Sequence, residues 1–241
     1  MQKHLATLIG LLLTDGGVSK MSKNRFEIFL ASNSEGLRNK FESTMQICFD
    51  VDRFYTINGE TVCKIRAIEE VAGLELLKLS PTFRTRPCDV YPTCPKKTGN
   101  AERAIPHKCN SLNGYPPTRV PDFIMEGSVE IKRESLKAAI SADGGVEFHT
   151  LSKGIKYLQR RLLLRCHNPN LIKQWRILFE DCGFEVTETK NEIRITGVKQ
   201  FLKFRAEIGF LDNVKVERSK NWNGFEKNEI LDKMIDSFIV D

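Results

Sequence analysis

Apolar positions along this chain recur in two rhythms, one of period near 3.6 and one of period two, and the order of the rhythms is repeated. From His4 to Thr14 a leucine-rich run reads as a helix that stops at Asp15-Gly16-Gly17. The stretch "VSKMSKNRFEIFLAS" alternates and turns like a hairpin. "SEGLRNKFESTMQICF" places Leu37, Phe41, Met45 and Phe49 at four-residue spacing, which is one helical face. "RFYTINGETVCKIRAI" reads as two strands around Asn58-Gly59, a strong hairpin signal. "EEVAGLELLKL" then closes the half as a helix.

The same succession returns. "RESLKAAISA" is a helix ended by Asp143-Gly144-Gly145, and "VEFHTLSKGIKYLQRRLLLRC" is a hairpin turning at Ser152 to Gly154. "PNLIKQWRILFEDCGF" opens with Pro169 in a first-turn position and ends at Gly183. Trp175 lies on its four-spaced face with Leu171 and Leu178, a core pattern. "EVTETKNEIRIT" is a second hairpin, and "KQFLKFRAEIGF" closes the unit. Two αββαββα units are therefore expected at 1–80 and 131–212, an α+β class built by duplication. Between them, 81–130 is rich in proline and cations, weak in periodicity and expected to be an irregular linker. The tail 213–241 holds an amphipathic helix with Ile230, Met234, Ile235 and Phe238 on one side, suited to docking on the core.

Composition narrows the partners. The net charge of +6 favours a polyanion. The run Leu8 to Leu13 is too short to cross a bilayer and lacks a signal-cleavage pattern, so no membrane role is expected, and residence in the cytoplasm or an organellar matrix is. Seven cysteines, an odd number without a CxxC pair, argue against a disulfide framework, and Cys48, Cys63, Cys166 and Cys182 read as reduced thiols in apolar elements. Cys88, Cys94, His107 and Cys109 could supply four zinc ligands, although C-x5-C with H-x-C is an unfamiliar spacing. His4 and His167 have no evident partners.

The aspartates raise the sharper question. A carboxylate at a helix C-terminus faces the negative end of the dipole, at a cost of about 0.3–1 kcal/mol. Taken singly, each Asp-Gly-Gly is a helix stop with left-handed glycines. Its recurrence at the same place in a duplicated unit points to a need for the acid. Small residues lie at i, i+4 in both helices, Gly10 with Thr14 and Ala138 with Ala142, which would let the helices pack closely. Asp15 and Asp143 would then emerge together, and two adjacent carboxylates resist joint ionisation unless a cation bridges them. Mg²⁺ accepts such hard oxygen ligands and leaves room for water and phosphate.

"LIGLLLTDG" (Leu8 to Gly16) and "LKAAISADG" (Leu136 to Gly144) resemble the paired signature of the LAGLIDADG homing endonucleases. The resemblance implies a single-chain pseudo-dimer with the motif helices at its centre and two saddle-shaped antiparallel sheets on DNA. It assigns divalent metal to Asp15 and Asp143, with Mg²⁺ as cofactor and Mn²⁺ as a substitute. It implies a monomer that cuts a long, partly asymmetric double-stranded site. The motif departs from the family at Leu13 and Ser141, often acidic there, and at Ile9 and Lys137, where a small residue is typical.

With Asn58-Gly59 as the turn, Tyr55 is expected to pair with Val62 and Arg53 with Lys64, giving a wet face of Arg53, Tyr55, Ile57, Glu60, Val62, Lys64 and Arg66. The second half offers Gln159, Arg161 and Arg165 in one strand and Thr187, Arg194 and Thr196 in the next hairpin. Lys20, Lys23, Asn24 and Arg25 lie at the first hairpin tip, with their facing open. These residues are the candidates for phosphate and base contact. The family also places a basic or polar residue beside each metal site. Lys64, Arg66 and Arg165 are the candidates, with Arg66 matched to Thr196 and Ala31 to Arg165. A non-cleaving RNA-splicing maturase or DNA-binding regulator of the same fold is the rival reading. A chain opening at Met1 and closing "SFIVD", without a terminal His-Asn, is expected to be free-standing and intron-encoded, not an intein fragment.

Overall fold

The computed structural model describes residues 1–85, 115–151, 157–217 and 219–238. The four zinc candidates and the turn at 152–154 lie outside the described residues. The first unit runs α1 (Gln2–Leu12), β1 (Gly16–Ser22), β2 (Arg25–Ala31), α2 (Glu35–Phe49), β3 (Tyr55–Asn58), β4 (Cys63–Ile68) and α3 (Glu70–Leu79). A short helix α4 (Asp122–Met125) precedes the second unit: α5 (Val129–Asp143), β5 (Gly144–Leu151), β6 (Tyr157–Arg165), α6 (Pro169–Asp181), β7 (Thr187–Glu188), β8 (Glu192–Ile195) and α7 (Val198–Glu207). The tail adds α8 (Lys227–Asp236). The sheets have matching orders, β1-β2-β4-β3 and β5-β6-β8-β7, with every pairing antiparallel. The expected α+β duplication is therefore the observed one.

Alternation explains each sheet. Val18, Phe26, Ile28, Leu30, Ile65 and Ala67 turn inward beneath the first sheet and meet Leu37, Phe41 and Met45 of α2. Leu162, Leu164, Ile193 and Ile195 do the same in the second, against Leu171, Trp175 and Leu178 of α6. Full burial of such side chains stabilises by about 1.5–3 kcal/mol each. Pro169 follows Asn168, whose buried side-chain oxygen accepts from the backbone N–H of Asn170 at 2.9 Å and caps α6. Gly183, at φ 75°, takes the left-handed conformation after that helix.

Helices α1 and α5 pack against each other through the middle of the molecule. A Cβ added to Gly10 would lie 2.5 Å from Ser135 O and 2.8 Å from Ala138 Cβ, so only glycine admits this approach. Fully buried Leu8, Ile9, Leu11 and Leu12 on α1, and Leu136, Ala138 and Ala139 on α5, exclude water from the contact and its surroundings.

Three expectations are refined by the structure. The described ends of the 81–130 stretch have no regular structure at 81–85 and 115–121, yet they pack into the core. Phe83, Val120 and Ile124 are buried, Val120 N donates to Gln174 Oε1 at 2.9 Å, and α5 already begins at Val129. Single apolar residues among prolines leave no period to read, yet each plugs a gap in the core. Second, the β3–β4 hairpin does not turn on Asn58-Gly59 alone. Tyr55 pairs with Arg66 and Ile57 with Lys64, so Gly59 to Val62 form the loop and each partner shifts by four residues. An even shift leaves every side chain on its expected face, but Arg53 precedes β3 and is outside the ladder. Third, the Asp-Gly-Gly glycines are not left-handed stops. None of the four has a positive φ, and Gly144 is extended at φ −118°, ψ −173°. Space is what they provide: a Cβ on Gly16 would come within 2.8 Å of Leu12 Cα and Phe29 O, and one on Gly144 within 2.5 Å of Leu163 O.

Candidate metal and DNA site

Close packing of α1 on α5 delivers Asp15 and Asp143 to one place. Both half-buried aspartates line the same two clefts. One cleft, of about 480 Å³, also takes in Ala31, Ser32, Glu147, Arg165 and Lys227. The other, of about 340 Å³, adds Thr85, Arg165, Cys166 and His167. Asp15 O accepts from Ala31 N at 2.9 Å, which ties the end of α1 to the end of β2. Burial pushes the Cys166 thiol up to about 12, with a backbone hydrogen bond to Asn168 only partly opposing, so it is an inert wall of its cleft.

Among the described residues no group of three or more His, Cys, Asp and Glu side chains is placed to hold a metal. Two carboxylates facing a shared space nonetheless fit Mg²⁺ or Mn²⁺, which are commonly held by one or two carboxylates with water and phosphate completing the shell. They do not fit zinc, which takes three or four nitrogen, sulfur or oxygen ligands from the protein.

The exposed sheet faces carry the cations, and acids gather them. In the first sheet Lys64 Nζ and Arg66 Nη1 each lie 2.9 Å from Glu27 Oε1, and Lys64 also sits 4.0 Å from the centre of the Phe29 ring. Burial opposes ionisation of Glu27, but hydrogen bonds from Arg66 and Lys64 and their charges outweigh it, holding the carboxyl below its ordinary value of 4.5. Its contribution to stability is therefore present above that ordinary value and lost as pH falls through the lower folded one. In the second sheet Glu147 receives Arg161, Gln159 at 3.1 Å and Arg165 at 3.4 Å, while Glu192 receives Arg194 and, at 3.9 Å, Arg165.

The candidate residues thus divide. Arg165, 64% exposed, lines both clefts beside the aspartates. Lys64 and Arg66 stand on the sheet, held by Glu27, and line neither cleft. Gln159, Arg161 and Arg194 share the exposed face with Arg165, and Tyr55 is exposed on the face of Lys64 and Arg66. Lys23, Asn24 and Arg25 are exposed at the first hairpin tip. Lys20 is turned the other way: it pairs with Phe26 on the core-facing side, its ammonium 5.8 Å from that ring.

Register also corrects the matching of the halves. Phe29 pairs with Arg66 as Leu163 pairs with Arg194, so Arg194, not Thr196, is the counterpart of Arg66. Ala31 pairs with Lys64 as Arg165 pairs with Glu192. The cation at that level has changed strands between the halves, and an acid has taken its place. Sequence reasoning did not find Glu27, Glu147 and Glu192 as organisers, nor His167 on a cleft wall. Their alternation was readable; which acid captures which base depended on the register.

Lys227 was also missed. It opens α8, is 9% exposed, and donates from Nζ to Ser141 O at 2.7 Å and Gly144 O at 2.6 Å, the carbonyls flanking Asp143. Desolvation pushes its ammonium down to about 8, while Asp15 and then Asp143 pull it back.

No family model and no curated protein matches this sequence. Solved structures do. The helix pair and the two four-stranded antiparallel sheets are those of the LAGLIDADG fold, and the chain has that fold. Among the similar structures are mesophilic variants of the homing endonuclease I-DmoI, at TM-score 0.54 and 13% identity over 86% of this chain and 96% of that one. I-DmoI in complex with DNA and Mn is similar at TM-score 0.52 and 15% identity, with the same coverage. Full-length DUF199/WhiA from Thermatoga maritima is similar at TM-score 0.51 and 12% identity, over 98% of this chain and 61% of that one.

Proposed function

We propose that this protein is a divalent-metal-dependent, sequence-specific endonuclease that hydrolyses one phosphodiester on each strand of a long, partly asymmetric double-stranded DNA site. The observation that carries this reading is the pair Asp15 and Asp143, brought by two close-packed helices into shared clefts with exposed cationic sheets on either half. That I-DmoI has been described with its target DNA in the presence of Mg and Mn supports it. Mg²⁺ is the cofactor of this reading, Mn²⁺ its substitute, and a monomer its working form. Free-standing, intron-encoded origin and a cytoplasmic or organellar site of action belong to the same reading.

Asp15 and Asp143 would hold the metal, which supplies an activated water and charge stabilisation at the leaving oxygen. Hydrolysis adds a water oxygen to phosphorus, breaks one P–O bond and returns a proton to the leaving oxygen, so negative charge grows on the phosphate in the transition state. Arg165, exposed in its long ion pairs and lining both clefts, would meet that charge. Arg161, Gln159, Arg194, Lys64, Arg66 and Tyr55 face the duplex for phosphate and base contact, joined by Lys23, Asn24, Arg25 and Arg53 at the periphery. Lys20 remains a phosphate candidate only by its exposed edge.

The rival reading is a non-cleaving RNA-splicing maturase or DNA-binding regulator of the same fold, which differs from the nuclease in binding without cutting. A library of randomised duplexes, incubated with protein with and without Mg²⁺ and sequenced at cut ends, decides between them. Recovery of one site cut on both strands only with Mg²⁺ is expected. Retention of a specific duplex without any cutting would establish the binder.

The acids make a prediction of their own. Glu27→Gln releases Lys64 and Arg66 for phosphate, so non-specific DNA affinity is expected to rise about three- to tenfold at low salt, with a log K against log salt slope steeper by about one. Fluorescence anisotropy across a salt series checks this. An unchanged slope would mean that both cations already reach DNA with Glu27 in place.

A further inference from the structure

Lys227 comes from neither duplicated unit but from the tail, and the structure holds it firmly. Its backbone N–H donates to Val214 O at 2.9 Å, and its neighbour Asn228 exchanges hydrogen bonds with Phe210, receiving from N at 2.9 Å and donating to O at 3.0 Å. Ile230, Leu231 and Met234 bury the helix behind it. The corresponding end of α1 is closed differently, by Thr14 Oγ1 donating to Gly10 O and Leu11 O at 2.9 and 3.0 Å. A buried ammonium is costly unless negative groups surround it. Here two carbonyls at the negative end of α5 accept from it, and it lies in the wall of the cleft that Asp15 and Asp143 line.

We propose that Lys227 is a built-in counter-ion, a positioning residue of the tail that balances the paired aspartates in the metal-free protein and with which an arriving divalent ion must compete. This rests on the metal-site reading above, and makes α8 part of the site, not a packing helix alone. Two negative groups at two dipole ends would otherwise strain the helix interface. With Lys227 present the interface is stable before metal arrives, and metal affinity is correspondingly moderated.

The test compares wild type, Lys227→Met, Asp15→Asn and the double variant by thermal melting at pH 7, without metal and with Mn²⁺. Methionine keeps the length and removes the charge. Lys227→Met is expected to melt lower without metal, and Mn²⁺ is expected to raise its Tm by roughly 2–4 °C more than it raises the wild type's. Without metal, Asp15→Asn is expected to restore part of the Tm that Lys227→Met loses, because one of the two adjacent negative charges is gone. Equal or smaller Mn²⁺ shifts in Lys227→Met, with a clear shift in wild type, would overturn the counter-ion role. So would additive losses in the double variant, which needs no metal and remains decisive if Lys227→Met alone folds poorly. A wild type that melts identically with and without Mn²⁺ would instead count against the metal site itself, leaving the metal-free coupling to judge Lys227.

Discussion

Asp15→Asn is expected to lower DNA cleavage by at least about 10³-fold, which is roughly 4 kcal/mol of transition-state stabilisation, while leaving DNA affinity intact or slightly improved. The amide keeps the shape of the carboxylate but gives up its charge, and a neutral oxygen is a poor ligand for a hard dication. Under the proposed function phosphate contact would belong to the sheets, so binding would not depend on this residue, and one negative charge fewer near the backbone would lessen repulsion. Because each cleft is lined by both aspartates, loss of either carboxylate is expected to affect both strands. Supercoiled plasmid carrying the recovered site separates the outcomes. Uncut plasmid with bound protein is the expected result for Asp15→Asn and Asp143→Asn alike. Accumulation of nicked circles would mean separate metals serving separate strands, and full linearisation would remove the aspartates from the chemistry.

The asymmetry between the halves bears on the same assay. Arg165 stands beside the aspartates in one half, whereas Ala31 occupies the matching place in the other and its cation, Lys64, is held one strand away by Glu27. Pseudo-symmetry therefore stops at the level of individual charges, and under the proposed function the two strands would present their phosphates to unlike surroundings. Such an arrangement suits a site whose halves differ in sequence, since the two sheets need not read the same bases.

What could be read beforehand follows from how far each signal extends. Periodicity is local, so helices, strands and their inward faces were legible, and the repeat of their order made the duplication legible too. The Asn58-Gly59 turn was misplaced because a two-residue hairpin and a longer loop through Val62 share the same alternation, and only the pairing of Ile65 and Ala67 with β2 selects between them. Arg66 was matched to Thr196 by placing the strand end too late in the second half, although Arg66 and Arg194 stand at the same distance before the helix caps Glu69 and Gly197. Glycines 16 and 144 announced the motif, but their reason was crowding by Phe29 O and Leu163 O across the sheet, which no single stretch displays. Lys227 was hidden most completely. Its partners are more than eighty residues away, and on an amphipathic tail a lysine reads as solvent-facing.

Gly10 carries the other large expected effect. In an isolated helix, Gly→Ala is favourable by about 1 kcal/mol, so stabilisation would be the expectation from propensity alone. Here the added methyl would sit 2.5 Å from a backbone oxygen of α5 and 2.8 Å from Ala138 Cβ, and neither is the flexible end of a side chain. The helices must separate to admit it, which opens voids around Leu8, Leu11 and Leu136 in a core that is fully buried. A net loss of about 2–3 kcal/mol is expected for Gly10→Ala, and loss of the folded state for Gly10→Leu. For a chain of this length the alanine variant should melt roughly 5–10 °C lower. Separation of the helices also parts Asp15 from Asp143, so the Mn²⁺-induced rise in Tm should shrink together with the stability. A Gly10→Ala protein as stable as wild type would show that α1 and α5 do not meet at this residue, and the aspartate pair would lose the contact that brings it together.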